Sequence, residues 1–292
     1  MPELPDITVY LDALRTHVVG EALEVVQLGN PFVLRTVEPP VKAIEGQRVM
    51  DVRRIGKRIC LEFAAELFLV IHLMIAGRLR WRPKGKKVAG AAALARFGFP
   101  NGDLVLTEAG TTRRAALHIV QGEAALGAFD RGGLEVLDST REDFAERLRS
   151  ENHTLKRALT DARLFSGIGN AYSDEILHRA RLSPLALTSR LDDEAIGRLH
   201  RAAGEVLHEW IERLRTETAG KFPEKVTAFR EGMAVHGRFR QPCPDCGAPV
   251  QRIRYADNET NYCARCQTGG RLFADRAMSR LLKEDWPRTL ED

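Results

Sequence analysis

Four cysteines near the end of the chain restrict its fold more than any other feature. Cys243-Pro244-Asp245-Cys246 is followed, after sixteen residues, by Cys263-Ala264-Arg265-Cys266. Each C-x-x-C pair makes a tight knuckle that aims two thiolates at one point, and the residues between can close as a hairpin. Arg252, Arg254, Tyr255 and Arg265 surround it, so the hairpin presents cations and an aromatic ring. Two disulfides, or a thioredoxin-like redox pair, are the alternative uses of such cysteines. Two pairs in register, with no basic-then-apolar secretory segment at the N-terminus, favour one tetrahedral zinc ion. Four thiolates leave no open coordination position. Such a zinc is structural, and the chemistry belongs elsewhere.

A length of 292 residues suggests two domains or a little more. No apolar run is long enough to span a bilayer, and reduced, metal-bound cysteines point to the cytoplasm. The fifth cysteine, Cys60, lies in a strand-like run and reads as a buried free thiol. Net charge is only +4, but residues 48–87 hold eleven Lys/Arg against three Asp/Glu. That local excess favours a polyanion, most simply a nucleic-acid backbone, over a merely solvated surface.

Pro2 is the first informative position. A small second residue permits removal of the initiator, which leaves proline's secondary amine as the chain start. Ile7, Tyr10, Leu11, Leu14 and Val18 then follow at helical spacing. Asp6 reads as the N-cap, or Pro5-Asp6 as the first turn, and Gly20 as the stop. The amine and the Glu3 carboxylate thus sit at the positive end of a helix. That field lowers the amine's pKa from its ordinary value of about 7.7–8, and a free amine can attack an electrophilic carbon.

Residues 25–28, 48–52, 59–63, 67–71, 104–107 and 116–120 are short β-rich runs cut by Gly and Pro, which predicts a mostly antiparallel sheet set. Residues 53–58 read as a basic turn, 78–87 as a second basic stretch, and 88–94 as a Gly/Ala loop. Residues 127–139, with Gly132-Gly133, mark a boundary. From Thr140 the apolar period lengthens: Thr140-x-x-Asp143 resembles a capping box, and Phe144, Leu148, Leu155 and Leu159 supply one face. A glycine-rich turn, Gly167-Ile168-Gly169-Asn170, separates two helices. It reads either as an ordinary tight turn or as a phosphate site at a helix start. A long helix follows over about 192–216.

These features in this order resemble the formamidopyrimidine-DNA glycosylase/endonuclease VIII family of DNA repair enzymes. The likeness rests on Met-Pro-Glu-Leu-Pro at the start, Gly56-Lys57-Arg58, His72-Leu73, Arg113-Arg114, Gly167-Ile168-Gly169-Asn170-Ala171-Tyr172 with Glu175, and the four-cysteine finger. It covers roughly residues 2–268. It implies an α+β chain: an N-terminal β-sandwich catalytic domain with flanking helices (1–133), a helix–two-turn–helix DNA-binding domain (134–238), a zinc-finger hairpin (239–268) and a C-terminal extension (269–292). It implies a monomer acting on double-stranded DNA with damaged bases, in the cytoplasm at the nucleoid, and not at a membrane.

By the same resemblance, Pro2 attacks C1′ of a flipped-out nucleotide to form a Schiff base, and Glu3 shuttles protons during sugar opening and base loss. Lys57 assists β-elimination. His72, Lys156 and Asn170 contact phosphate or DNA, and Arg113 enters the gap left by the base. Cys243, Cys246, Cys263 and Cys266 hold one Zn2+. Several positions depart from the family pattern. Asp6 replaces a glutamate, Ile75 takes the intercalating methionine's place, and Ala115 that of the wedge aromatic. Asn258 stands where an arginine tied to δ-elimination is expected, and His236-Gly237-Arg238 replaces Tyr-Gly-Arg. With the short 216–226 segment, these changes point to oxidised pyrimidines such as 5-hydroxyuracil and to β-elimination alone. Ala277, Met278, Leu281 and Leu282 are spaced for a short amphipathic helix in the extension. A damage-binding protein without chemistry, or a zinc-ribbon RNA-binding or transcription factor, remain the competing readings.

Overall fold

A computed structural model describes residues 1–85, 93–109, 112–224, 226, 230–255, 258–273 and 288–290. The helix expected at Ala277–Leu282 and most of the 88–94 loop lie outside the described residues. The chain divides into two compact units: Met1–Arg131 with Trp210–Thr227, and Gly132–Glu209 with Ala228–Asp292. Among the described residues, no helix is long and apolar enough to cross a membrane.

The first unit opens with helix α1 (Leu4–Val18) and continues as eight strands: β1 (Val25–Leu28), β2 (Val49–Ile55), β3 (Arg58–Phe63), β4 (Leu67–His72), β5 (Gly77–Arg82), β6 (Ala93–Phe99), β7 (Gly102–Glu108) and β8 (Ala116–Gln121). They form two antiparallel four-stranded sheets, ordered β1-β6-β7-β5 and β2-β3-β4-β8. Alternate residues explain the layering. Ile59, Leu61, Leu69, Ile71, Leu117 and Ile119 join Phe97, Phe99, Leu104 and Leu106 of the other sheet in one core, with the apolar face of α1. The opposite face of β3 and β4 is also covered: Cys60, Phe68 and Val70 pack under Leu126 of the short helix α2 (Glu123–Gly127). Both faces being buried, these strands read as near-continuous apolar runs. Burial pushes the Cys60 thiol up to about 12, so it stays protonated and inert.

Two strands depart from the sequence reading. Arg78, Arg80 and Arg82 made 78–87 read as a charged stretch, yet residues 77–82 form β5, with Leu79 buried and the arginines on the more open side. Residues 93–99 are β6, whose alanines and glycine carried little strand signal. The returning segment completes this unit. Phe222 lies 5.8 Å from the Tyr10 ring and 6.3 Å from Trp81, and Glu224 pairs with Arg82.

The second unit begins with α3 (Arg141–Arg149), started by the expected Thr140–Asp143 capping box. α4 (Leu155–Thr160), α5 (Asn170–Arg179) and the long α6 (Asp193–Thr218) follow, α6 counting in this unit only up to Glu209, and Phe144 and Phe165 meet at 4.7 Å. The cysteine segment is the hairpin β9 (Val250–Arg254) and β10 (Glu259–Cys263), ending in α7 (Ala264–Thr268).

Candidate functional site

The first cluster lies at the chain start. Glu3, not Asp6, is the N-cap of α1, and Asp6 is the third helical residue. The reason is Pro5, whose missing N–H is harmless in a first turn and draws the start back to Leu4. Glu3 donates its backbone N–H to Asp6 Oδ2 at 2.9 Å, and the Glu3 carboxylate accepts from the Asp6 N–H, which is the reciprocal capping box. Pro2, Glu3 and Asp6 are all buried. With Met1 attached, burial holds the terminal amine below its ordinary value. Glu3 opposes that shift, Arg78 and Lys57 reinforce it, and Asp6 opposes it. The amine, Glu3 and Lys57 therefore share one electrostatic neighbourhood.

Lys57 sits in the turn between β2 and β3, beside Gly56 at φ 58°. Arg78 is a residue that sequence reasoning counted only as part of a basic stretch. Its guanidinium donates to the Ile75 carbonyl at 3.0 Å and the Gly77 carbonyl at 2.7 Å, bracing the turn after His72. Gly77 is required there, since a Cβ would lie 2.2 Å from the Leu73 carbonyl oxygen. This turn leaves Ile75 58% exposed. His72 ends β4 opposite Arg58 and Ala116. Burial pulls its pKa down to about 4, helped by Arg58, His118 and Lys57, so the ring is neutral at neutral pH.

Arg113 lies in the loop between β7 and β8, which is pinned by a second unforeseen group. The buried Glu108 carboxylate accepts from the Arg114 N–H at 2.9 and 3.0 Å and from the Ala115 N–H at 3.0 Å. Ala115 is buried in the core of its unit. A carboxylate directly before a turn of consecutive N–H donors is the signal that could have found Glu108.

The second cluster surrounds α5. Asp174 is fully buried and accepts from Lys156 Nζ at 2.5 Å, His236 Nδ1 at 2.8 Å and the Asn261 N–H at 3.1 Å. Lys156 Nζ also donates to the Asn170 carbonyl at 2.6 Å and Ser173 Oγ at 2.8 Å. An ammonium has three donors. All three are used within the protein, since a buried carboxylate needs a buried cation. Glu175 accepts the backbone N–H groups of Ala234, Val235 and His236 at 2.6, 2.9 and 2.9 Å. Asn170 Nδ2 donates to the Glu259 carbonyl at 2.9 Å, which brings Asn170 next to the hairpin turn carrying the exposed Asn258. An adjacent acid pair inside an apolar helical run was the available signal for this network.

The four cysteines meet as expected. Their sulfurs lie within 4.8 Å of one another, with Cys243–Cys266 at 3.9 Å and Cys246–Cys263 at 3.4 Å. Zinc–thiolate bonds of about 2.3 Å in a tetrahedron separate sulfurs by about 3.8 Å. The donor set and its spacing fit a structural zinc ion.

Known proteins resemble the chain over most of its length. Residues 1–114 match the description "Formamidopyrimidine-DNA glycosylase N-terminal domain", residues 134–220 "Formamidopyrimidine-DNA glycosylase H2TH domain", and residues 240–269 "Zinc finger found in FPG and IleRS". The formamidopyrimidine-DNA glycosylase of Heliobacterium modesticaldum is 32% identical, over 91% of this chain and 100% of that one. The crystal structure of the MutM (FPG) protein from Thermus thermophilus is 31% identical, covers 91% of this chain and 98% of its own, and superposes with a TM-score of 0.76. The crystal structure of a complex between the LlFpg protein, a THF-DNA and an inhibitor gives a TM-score of 0.80 at 25% identity, over 91% of this chain and 100% of that chain. The chain belongs to the formamidopyrimidine-DNA glycosylase family.

Proposed function

We propose that this DNA glycosylase and abasic-site lyase serves base-excision repair by removing oxidised bases from double-stranded DNA through a Pro2 Schiff base. Oxidised pyrimidines such as 5-hydroxyuracil come ahead of 8-oxoguanine. The observation that carries this reading is the chain start: Pro2 and Glu3 are buried together at the head of α1, where burial lowers the pKa of the Met1 amine and Glu3 and Lys57 act on it electrostatically. Removal of Met1 leaves the secondary amine of Pro2. Its nitrogen bonds to C1′ while the bond from C1′ to the base breaks, and Glu3 passes protons to the departing base and the opening sugar. The resulting iminium accepts the electron pair freed when a proton leaves C2′, and the 3′ C–O bond breaks with release of phosphate.

The remaining roles are those that the family resemblance implies for these positions. Lys57 assists the elimination and meets the backbone. Neutral His72 offers phosphate an N–H without a charge, and Asn170 offers an amide. Lys156 acts indirectly, because its ammonium holds the Asn170 carbonyl and Asp174. Arg113 enters the space of the flipped base, and Ile75 stands on an exposed turn. The buried Ala115 supplies no ring to read the opposite base, and Asn258 supplies no cation for a second elimination. Zinc holds the hairpin, and the protein works as a monomer in the cytoplasm.

Borohydride reduction in the presence of an abasic duplex tests the centre of this reading. A covalent protein–DNA adduct on Pro2 is expected, and it disappears when the terminal amine is blocked. Protein lacking Met1 that forms no adduct, yet binds damaged and intact duplex alike, defeats the enzymatic reading. A panel of 5-hydroxyuracil and 8-oxoguanine duplexes, scored for released base and strand ends, decides specificity and the number of eliminations.

A further inference from the structure

α5 touches the cysteine cluster at the end opposite Asn170. His178 lies in its last turn and is only 3% exposed. Its Nε2 stands 3.3 Å from Cys243 Sγ and 4.0 Å from Asp245 Oδ2. No catalytic assignment above uses this buried imidazole, which faces the cluster from outside the hairpin. Four sulfurs already complete a tetrahedron, so a fifth ligand has no place. A thiolate of a four-cysteine site is, however, a charged acceptor, and the cluster carries a formal charge of −2 around a divalent ion. An N–H donor at hydrogen-bond distance stabilises that charge.

We infer that His178 donates its Nε2–H to the Cys243 thiolate and so acts as an outer-shell partner of the zinc, joining the helix that bears Asn170 to the metal hairpin. This rests on the reading of the four cysteines as a zinc site. The acceptor sulfur requires the hydrogen on Nε2. Asp245 lies on the same side and favours that proton over a bare ring nitrogen. His178 is a positioning residue: it orients a ligand and tunes its charge, and it bonds neither metal nor DNA. One helix then carries a proposed phosphate contact at its start and a metal-ligand contact at its end.

The test uses the full chain loaded with Zn2+ or Co2+. His178→Phe is expected to weaken zinc binding about 10–100-fold in competition with a chromogenic chelator. The thiolate-to-Co2+ charge-transfer band should move to longer wavelength, because a thiolate that loses its hydrogen bond gives up an electron more easily. His178→Gln, whose Nε2 reaches the same place, should restore both. A Phe variant with wild-type affinity and an unmoved band overturns the inference. Should that variant fail to fold, cadmium-loaded wild-type protein decides by nuclear magnetic resonance. A proton on His178 Nε2 coupled to cadmium through the sulfur supports the inference, and an unprotonated Nε2 sinks it. Wild-type protein that binds no metal defeats the zinc reading and the inference together. Tight metal binding with indifferent His178 variants defeats the inference alone.

Discussion

Both clusters are built on a helix near its start, and they seat that helix by opposite means. α1 is seated by apolar packing: Ile7, Tyr10, Leu11, Leu14 and Val18 enter the core shared with both sheets, and the reciprocal Glu3–Asp6 pair orders its first turn. α5 is seated by charge: Asp174 binds Lys156, His236 and Asn261, while Glu175 gathers three consecutive backbone N–H groups. Apolar contacts weaken in proportion to the atoms removed. A buried carboxylate stripped of its cation keeps its whole desolvation penalty. The α1 end should be robust and the α5 end brittle.

The sharpest division between the two is chemical. Glu3→Gln should slow base release by about 10²–10⁴-fold with little change in the denaturation midpoint, since an amide oxygen can still accept from the Asp6 N–H. Wild-type turnover in that variant would break the assignment of chemistry to the α1 end. Next comes Asp174→Asn, which leaves Lys156 without its counter-charge and should destabilise the second unit by about 3–5 kcal/mol. Urea titration with amide exchange checks it: protection must fall around α5 and the hairpin before it falls in α1. Equal loss in both units would erase the contrast.

Acid should reach the first unit through His72. The folded pKa lies near 4, below the ordinary 6.5, mainly because the ring is buried. A depressed pKa means that the unfolded chain binds the proton more readily. The associated stability is therefore complete above about 6.5 and is lost as pH falls towards 4, by roughly 3 kcal/mol at the full shift. His72→Gln should flatten that limb in thermal melts taken down the pH range, and an unaltered slope would assign it to other groups. The smallest effect belongs to Asp6→Ala. Loss of one half of the capping box should cost about 1 kcal/mol, because the core already holds α1. A loss as large as that of Asp174→Asn would show that charge also seats the first helix.

Sequence alone revealed elements whose local signal and tertiary role coincide. Thr140-x-x-Asp143 is a capping box in both, the 59–63 and 67–71 runs are strands, and the two cysteine pairs converge. It failed where charge disguised structure. The arginines of β5 hid Leu79 and Trp81, whose alternation is the strand signal. Lys156 read as a cation for an outside partner, because the acid pair Asp174-Glu175 hints at a buried network without naming the mate eighteen positions before it. Glu108 and Arg78 bond backbone groups only a few positions away, which their charge alone did not advertise, whereas His178 meets Cys243 only because the fold brings them together, and such a pairing leaves no spacing to find.

The split make-up of the first unit has a consequence during synthesis. Phe222 and the residues around it belong to the β-sandwich, yet ribosomes make them only after the whole of 132–209. At about 5–20 residues per second, the sheets wait roughly 5–18 s for Phe222 to reach Tyr10 and Trp81. During that interval a nascent chain shows part of its apolar interior to chaperones. A stalled or truncated product ending before residue 210 would keep that wound open.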